Sequence, residues 1–243
     1  MTGARLGKYS LWQFRDFAIE RGLAILIIGA LWGFVSLEPA HRGMGPQWRG
    51  DQTSPFWVIA LQLAATIVSL SVLIALNGIT STDRKSGYYR FIFSKPVSPV
   101  LYYAQLFFVH MAGVLLSMAI LAAGMRVLFP VFSIKWFVVY TAIIYIAMGG
   151  IGFFLSVATR YDWLTLAAVW LGSRILRAVY GIGDDWRSKA VQLLPPVHRL
   201  DQVANSLIER GTAPAGDVVW LLGYGLVFFV VGLVILRKGS LAD

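Results

Sequence analysis

The residues best suited to chemistry lie in one polar segment, and their types serve recognition rather than catalysis. Asp83, Arg84, Lys85 and Arg90 carry its charge, and Gly87, Tyr88, Tyr89 and Phe91 stand among them. Charged groups of this kind make charge-assisted hydrogen bonds to a soluble partner. Aromatic side chains are the usual anchors of protein interfaces. The plainer reading of the same charges is a basic segment resting on anionic lipid. Pro96 and Pro99 close the segment, because proline disfavours helix at its own position and at the residue before it.

Other candidate groups are scattered. His110 falls in the middle of an uncharged run that extends from Lys95 to Arg126. It is read either as a proton or substrate group within a membrane or as a neutral imidazole hydrogen-bonded between helices. Arg174 and Arg177 are one helical turn apart on one face. They are placed to snorkel to an interface, to pair with Asp184 and Asp185, or to meet an anionic headgroup. Pro195 and Pro196 open a stretch with apolar residues at Val197, Leu200, Val203, Ala204 and Leu207, the spacing of a short amphipathic helix. That helix is expected to cap the bundle or to gate an exit from it.

Catalytic signatures are missing from the sequence. There is no G-x-x-x-x-G-K-[ST] phosphate loop, no H-E-x-x-H and no G-x-S-x-G. His41, His110 and His198 are too dispersed for a metal cluster, and there is no cysteine. The expectation is a chain that is not itself an enzyme and binds no cofactor or metal of its own.

The elements that position these residues follow from composition. Hydrophobic residues make up 58% of the chain and charged residues 14%, with a mean hydropathy of +0.69. A soluble domain carries about 25% charge. Between Asp51 and Asp83 no charge occurs, and a run of about 20 apolar residues suffices to cross a bilayer as a helix. The fold class is therefore an all-α integral membrane protein. Six transmembrane helices are expected near 22–37, 55–77, 97–128, 136–159, 163–182 and 218–236. Residues 1–21 form a cytoplasmic start and an N-terminal interfacial helix, in which Ser10 and Gln13 are spaced as a capping box. Leu11, Trp12, Phe14, Phe17, Ala18 and Ile19 mark its apolar side, and Gln13, Asp16 and Glu20 its polar side.

Sidedness comes from the basic residues. Arg5, Lys8, Arg15, Arg21, Arg84, Lys85, Arg90, Lys95, Arg160, Arg237 and Lys238 fall in the proposed inner segments, and only Arg42, Arg49, Arg126 and Lys135 in the short outer loops. This bias puts both termini in the cytoplasm. Segment 78–96 is then a cytoplasmic loop, and 183–217 an external one. The fifth span is weakest, with eleven uncharged residues between Asp162 and Arg174. The net charge of +9 suits anionic headgroups better than nucleic acid. Gly149-Gly150-Ile151-Gly152 and Gly223-Tyr224-Gly225 are read as sites of close helix packing. Trp12, Trp57, Tyr102, Tyr103, Trp136, Trp163 and Trp220 are read as an interfacial aromatic belt.

Taken in order, these segments resemble the permease subunits of ABC-2 type transporters, the membrane components of type-2 ABC exporters. The residues carrying the resemblance are Asp83-Arg84, Gly87, Phe91-Ile92-Phe93 and Ser94-Lys95-Pro96-Val97-Ser98, together with the Pro-containing stretch 193–201 before the last span. The sequence departs from the family pattern at Lys85, where many relatives have a second acid. It departs again at Ala104-Gln105, where a Gly-Lys pair is common. The resemblance implies a half-transporter that pairs with a second permease copy or homologue. It also implies a separate ATP-binding cassette subunit that carries ATP and magnesium, with 82–94 as the coupling helix seated on it. The implied setting is a bacterial or archaeal cytoplasmic membrane. The competing reading is a membrane scaffold or assembly factor without an ATPase partner.

Overall fold

The structure, a computed structural model, describes residues 3–36, 55–80, 83, 98–128, 132–159, 162–180, 185–192 and 197–238. Side-chain surroundings are described for most of these, though not for 3–8, 55–63, 128, 162–166, 170, 174, 192, 197, 198, 201 or 208–210. Among the described residues every regular element is a helix and no strand occurs.

Helix α1 spans Gly3–Phe17 and passes without interruption through a π-helical turn, Ala18–Gly22, into α2, Leu23–Ser36. In that turn the Leu23 N–H donates to Ala18 O, five residues back rather than four. The uncharged runs become α3 (Pro55–Leu76), α4 (Pro99–Leu128) and α5 (Ile134–Ala158). Asp162–Tyr180 is α6, Trp186–Gln192 is α7, Val197–Arg210 is α8 and Ala215–Lys238 is α9. Helix α4 begins at Pro99, where a proline costs nothing because the first helical N–H has no intrahelical partner.

Four helical stretches among the described residues are long and apolar enough to cross a membrane: Tyr9–Val35, Pro99–Val127, Ile134–Ala158 and Ala215–Lys238. Helix α3 has 22 residues, which corresponds to about 33 Å at 1.5 Å per residue. Leu31, Phe34, Val127, Val219 and Val230 are exposed. A soluble chain does not leave so much aliphatic and aromatic surface uncovered, whereas hydrocarbon covers it at no cost. The protein is an all-α, multi-pass membrane protein.

The chain divides into two compact units. The first comprises Met1–Ala75, Phe108–Ile144 and Ala204–Ala213. Its core contains Phe17, Ile25, Val68, Val72, Val114, Met118 and Tyr140. The second comprises Leu76–Phe107, Tyr145–Val203 and Pro214–Asp243. Its centre is aromatic: the Phe107 ring lies 4.4 Å from Phe229 and 5.0 Å from Tyr145, and Phe153 lies 5.0 Å from Phe229. The Tyr145 hydroxyl donates to Phe107 O at 2.9 Å. Beside this cluster α5 and α9 cross with backbone against backbone, since a Cβ on Gly150 would meet the Gly225 carbonyl and one on Gly225 the Ile146 carbonyl. The packing role read for these glycines holds at Gly150 and Gly225, whereas Gly223 faces open space.

Helix α8 has the face its spacing anticipates. Leu200, Val203, Ala204 and Leu207 are buried, while Gln202 and Asn205 are exposed. The capping box does not occur, because helix already runs through Ser10 from Gly3. Gln13 is not on a polar face either. It is 1% exposed, and no hydrogen bond to its amide atoms is found. Tyr102 and Tyr103 are buried rather than part of a belt. Trp12 and Trp220 are exposed as a belt requires.

Candidate functional site

The recognition segment can be followed at its two roots. Arg84, Lys85, Gly87, Tyr88, Tyr89, Arg90 and Phe91 lie outside the described residues. So do Pro195, Pro196 and the side chain of Arg174. At the entry, α3 stops at Leu76 and Gly78 takes φ = 76°, the left-handed conformation that ends a helix without a Cβ clash. Ile79 and Thr80 are buried. The Thr80 hydroxyl donates to Ser156 Oγ at 2.7 Å, and Ser156 Oγ donates to Phe153 O at 2.9 Å. The start of the segment is thus fixed to the last turns of α5.

At the exit, the Tyr102 N–H closes the first turn of α4 onto Ser98 O at 3.0 Å. Tyr103 then points its hydroxyl at Asp83, donating to Oδ2 at 3.1 Å. The tyrosine is fully buried and the aspartate half-buried. A carboxylate acceptor makes this a charge-assisted bond. It joins residues 20 apart in sequence, so the two roots of the segment meet in one hydrogen-bonded neck within the second unit. The sequence does not mark Tyr103 for the site, because a tyrosine near a span end reads first as an interfacial anchor.

His110 sits in the first unit. Its Nδ1 lies 2.9 Å from Arg21 Nη1 and 3.0 Å from Ala75 O, and the same Arg21 nitrogen donates to Ala75 O at 2.8 Å. A guanidinium only donates, so Arg21 is served at the ring by an unprotonated nitrogen, Nδ1 at 2.9 Å or Nε2 at 3.5 Å, and a hydrogen on Nδ1 would instead point at Ala75 O. Ala75 belongs to the last turn of α3, whose carbonyls have no partner within the helix. Arg21 supplies a hydrogen there, and its charge suits the negative end of the helix dipole. The Phe17 ring packs 5.2 Å from the His110 ring and also covers Gly113. His110 is buried, with Arg21, Ala75 O and the Phe17 ring around it. Arg21, inside the π turn, is the partner that sequence reasoning does not find.

Arg177 belongs to the second unit, within electrostatic reach of Arg199 and Tyr224. Arg199 pairs with Asp217 at 2.8 Å and lies over the Trp220 ring at 5.5 Å. Asp185 engages Ser188, its carboxylate accepting from the Ser188 amide at 2.9 Å and hydroxyl at 2.8 Å, while Asp184 lies outside the described residues. These two bonds, amide first, hold its carboxyl below the usual aspartate range. The seven-residue α7 is thereby capped at its start. Among the described residues no three His, Cys, Asp or Glu side chains gather as a metal site.

No protein-family model, no curated protein and no solved structure matches this chain.

Proposed function

We propose that the chain is the membrane subunit of an ABC exporter of the ABC-2 type. In this reading it crosses the membrane six times with both termini cytoplasmic, and it pairs with a second permease copy or homologue. It is driven by a separate ATP-binding cassette subunit, which carries the ATP and magnesium. The observation that carries the reading is the neck at Asp83 and Tyr103. It gives a charged, aromatic segment a fixed base on the bundle, as a part that transmits force requires. A segment that merely rested on lipid would need no such base.

Mechanistically, closure of the ATP-binding subunits pushes on 82–94, and the push passes through the Asp83 and Thr80 anchors into α4 and α5. The bundle responds by a rigid-body switch between inward-facing and outward-facing states. Among the described residues few polar side chains are buried in the helices, Ser71, Ser117 and Thr141 among them, so an amphipathic cargo suits the interior better than a highly charged one.

The test is the coupling itself. Replacing Asp83 and Arg84 together by alanine, or Tyr89 by proline, is expected to leave membrane insertion intact and to separate ATP hydrolysis from transport. Normal cargo-stimulated hydrolysis and transport in all these variants would overturn the proposal.

A further inference from the structure

A cavity of about 510 Å³ lies within the first unit among α2, α3, α4 and α5. Trp32, Ile67, Leu121, Gly124, Phe132 and Phe137 form much of its wall. Its volume falls in the ordinary range for small-molecule sites, about 300–1,000 Å³. Water is a poor occupant, because each buried molecule needs two to four polar partners, and the wall is almost entirely hydrocarbon and aromatic. Phe34 and Val127 also border the cavity and are among the most exposed apolar side chains of the protein. The cavity therefore reaches the surface that meets lipid, where the medium itself is acyl chain.

A cation stands at the rim. Arg126 lies between two cavity residues, Met125 and Val127, and is exposed. Its Nη1 donates to Phe132 O at 3.0 Å, and Phe132 is itself part of the wall. That bond fixes the guanidinium at the mouth and uses one of its five N–H donors. A guanidinium fork matches two phosphate oxygens. We propose that this cavity holds one acyl chain of an anionic phospholipid whose phosphate rests on Arg126. The site depends neither on the transport reading nor on the number of spans.

The experiment uses the full chain in phosphatidylcholine vesicles with rising fractions of bromine-labelled acyl chains, on either phosphatidylglycerol or phosphatidylcholine. Bromine quenches nearby tryptophan, and the difference between the unmodified protein and Trp32→Phe isolates the Trp32 signal. Expected is saturable Trp32 quenching at about fivefold lower mole fraction for the anionic lipid, the scale of one Arg–headgroup contact near 1 kcal/mol. Gly124→Phe should abolish the saturable component, since Gly124 lines the cavity, a Cβ there meets no atom within 4 Å, and a ring turned inward fills the space of an acyl chain. Arg126→Gln, an exposed change that leaves the wall intact, should bring both lipids to the same mole fraction. Trp32 quenching that follows bulk bromine content, equal for both headgroups in the unmodified protein, would overturn the proposal. Saturable quenching unaltered by Gly124→Phe would do the same.

Discussion

The Tyr103 hydroxyl and the Asp83 carboxylate, 3.1 Å apart, close the neck of the polar segment. A charge-assisted bond of this kind contributes about 1.5–3 kcal/mol when sheltered, and less where the acid is half open to water. Tyr103→Phe and Asp83→Asn are each expected to lower stability by about 1 kcal/mol. The double variant should cost little more than either single one, because both remove the same bond. Thermal unfolding of the four proteins in one detergent checks this, and strictly additive losses would show that the two residues act separately.

Arg21 and His110 form the second tie, and the loss of each partner has a different consequence. Arg21→Leu removes a charged donor from the buried Ala75 O and from the His110 ring, and a buried acceptor left unsatisfied costs about 1–3 kcal/mol. His110→Gln keeps a polar side chain beside Arg21 and is expected to cost less. If His110 is a structural tie, His110→Gln should transport normally while unfolding at lower temperature. Loss of transport with unchanged unfolding would make His110 part of the pathway.

The α5–α9 crossing separates two glycines of the same helix. Gly225→Ala sets a methyl group against the Ile146 carbonyl, and overpacking of this kind costs about 1–3 kcal/mol. Gly223→Ala meets nothing within 4 Å, and it removes backbone freedom from a helix interior, a gain of up to about 1 kcal/mol. Unfolding temperatures should therefore move in opposite directions for these variants, two residues apart.

Acid should release α7. The Asp185 carboxyl is held below its unfolded value by the Ser188 amide and hydroxyl. A depressed folded pKa stabilises above the unfolded value, about 3.9, and that contribution is lost as pH falls through the lower folded one. Amide exchange at Ser188, corrected for its intrinsic pH dependence, should show constant protection above about pH 5 and falling protection below about 3.9. In Asp185→Asn the acid-dependent step should vanish.

The helices were largely legible in the sequence, because long uncharged runs have few alternatives to helix. Pro99, Gly78 and the spacing of Leu200, Val203, Ala204 and Leu207 mark boundaries and faces by local rules that the structure obeys. Which side of an apolar helix faces protein was not legible, since lipid and core are equally apolar and hydrophobic period stops discriminating. That is why Tyr103 read as an interfacial anchor and Gln13 as a polar-face residue. Partnerships were hidden for another reason. Arg21 and His110 are 89 residues apart, and only the packing of α3 and α4 around the π turn brings them together. Sequence alone supplied the segment between Asp83 and Ser98, and the structure supplied its anchors.

The most decisive measurement is purification of the chain from its native membrane in mild detergent, with the bound subunits weighed and assayed for ATP hydrolysis. Expected is an ATP-binding subunit in equal amount to the chain, lost when 84–94 are replaced by a glycine-serine linker while the chain itself stays folded and inserted. A chain that purifies intact without any ATP-binding subunit, or that retains one undiminished when 84–94 are replaced by a glycine-serine linker, would contradict the coupling role assigned to that segment.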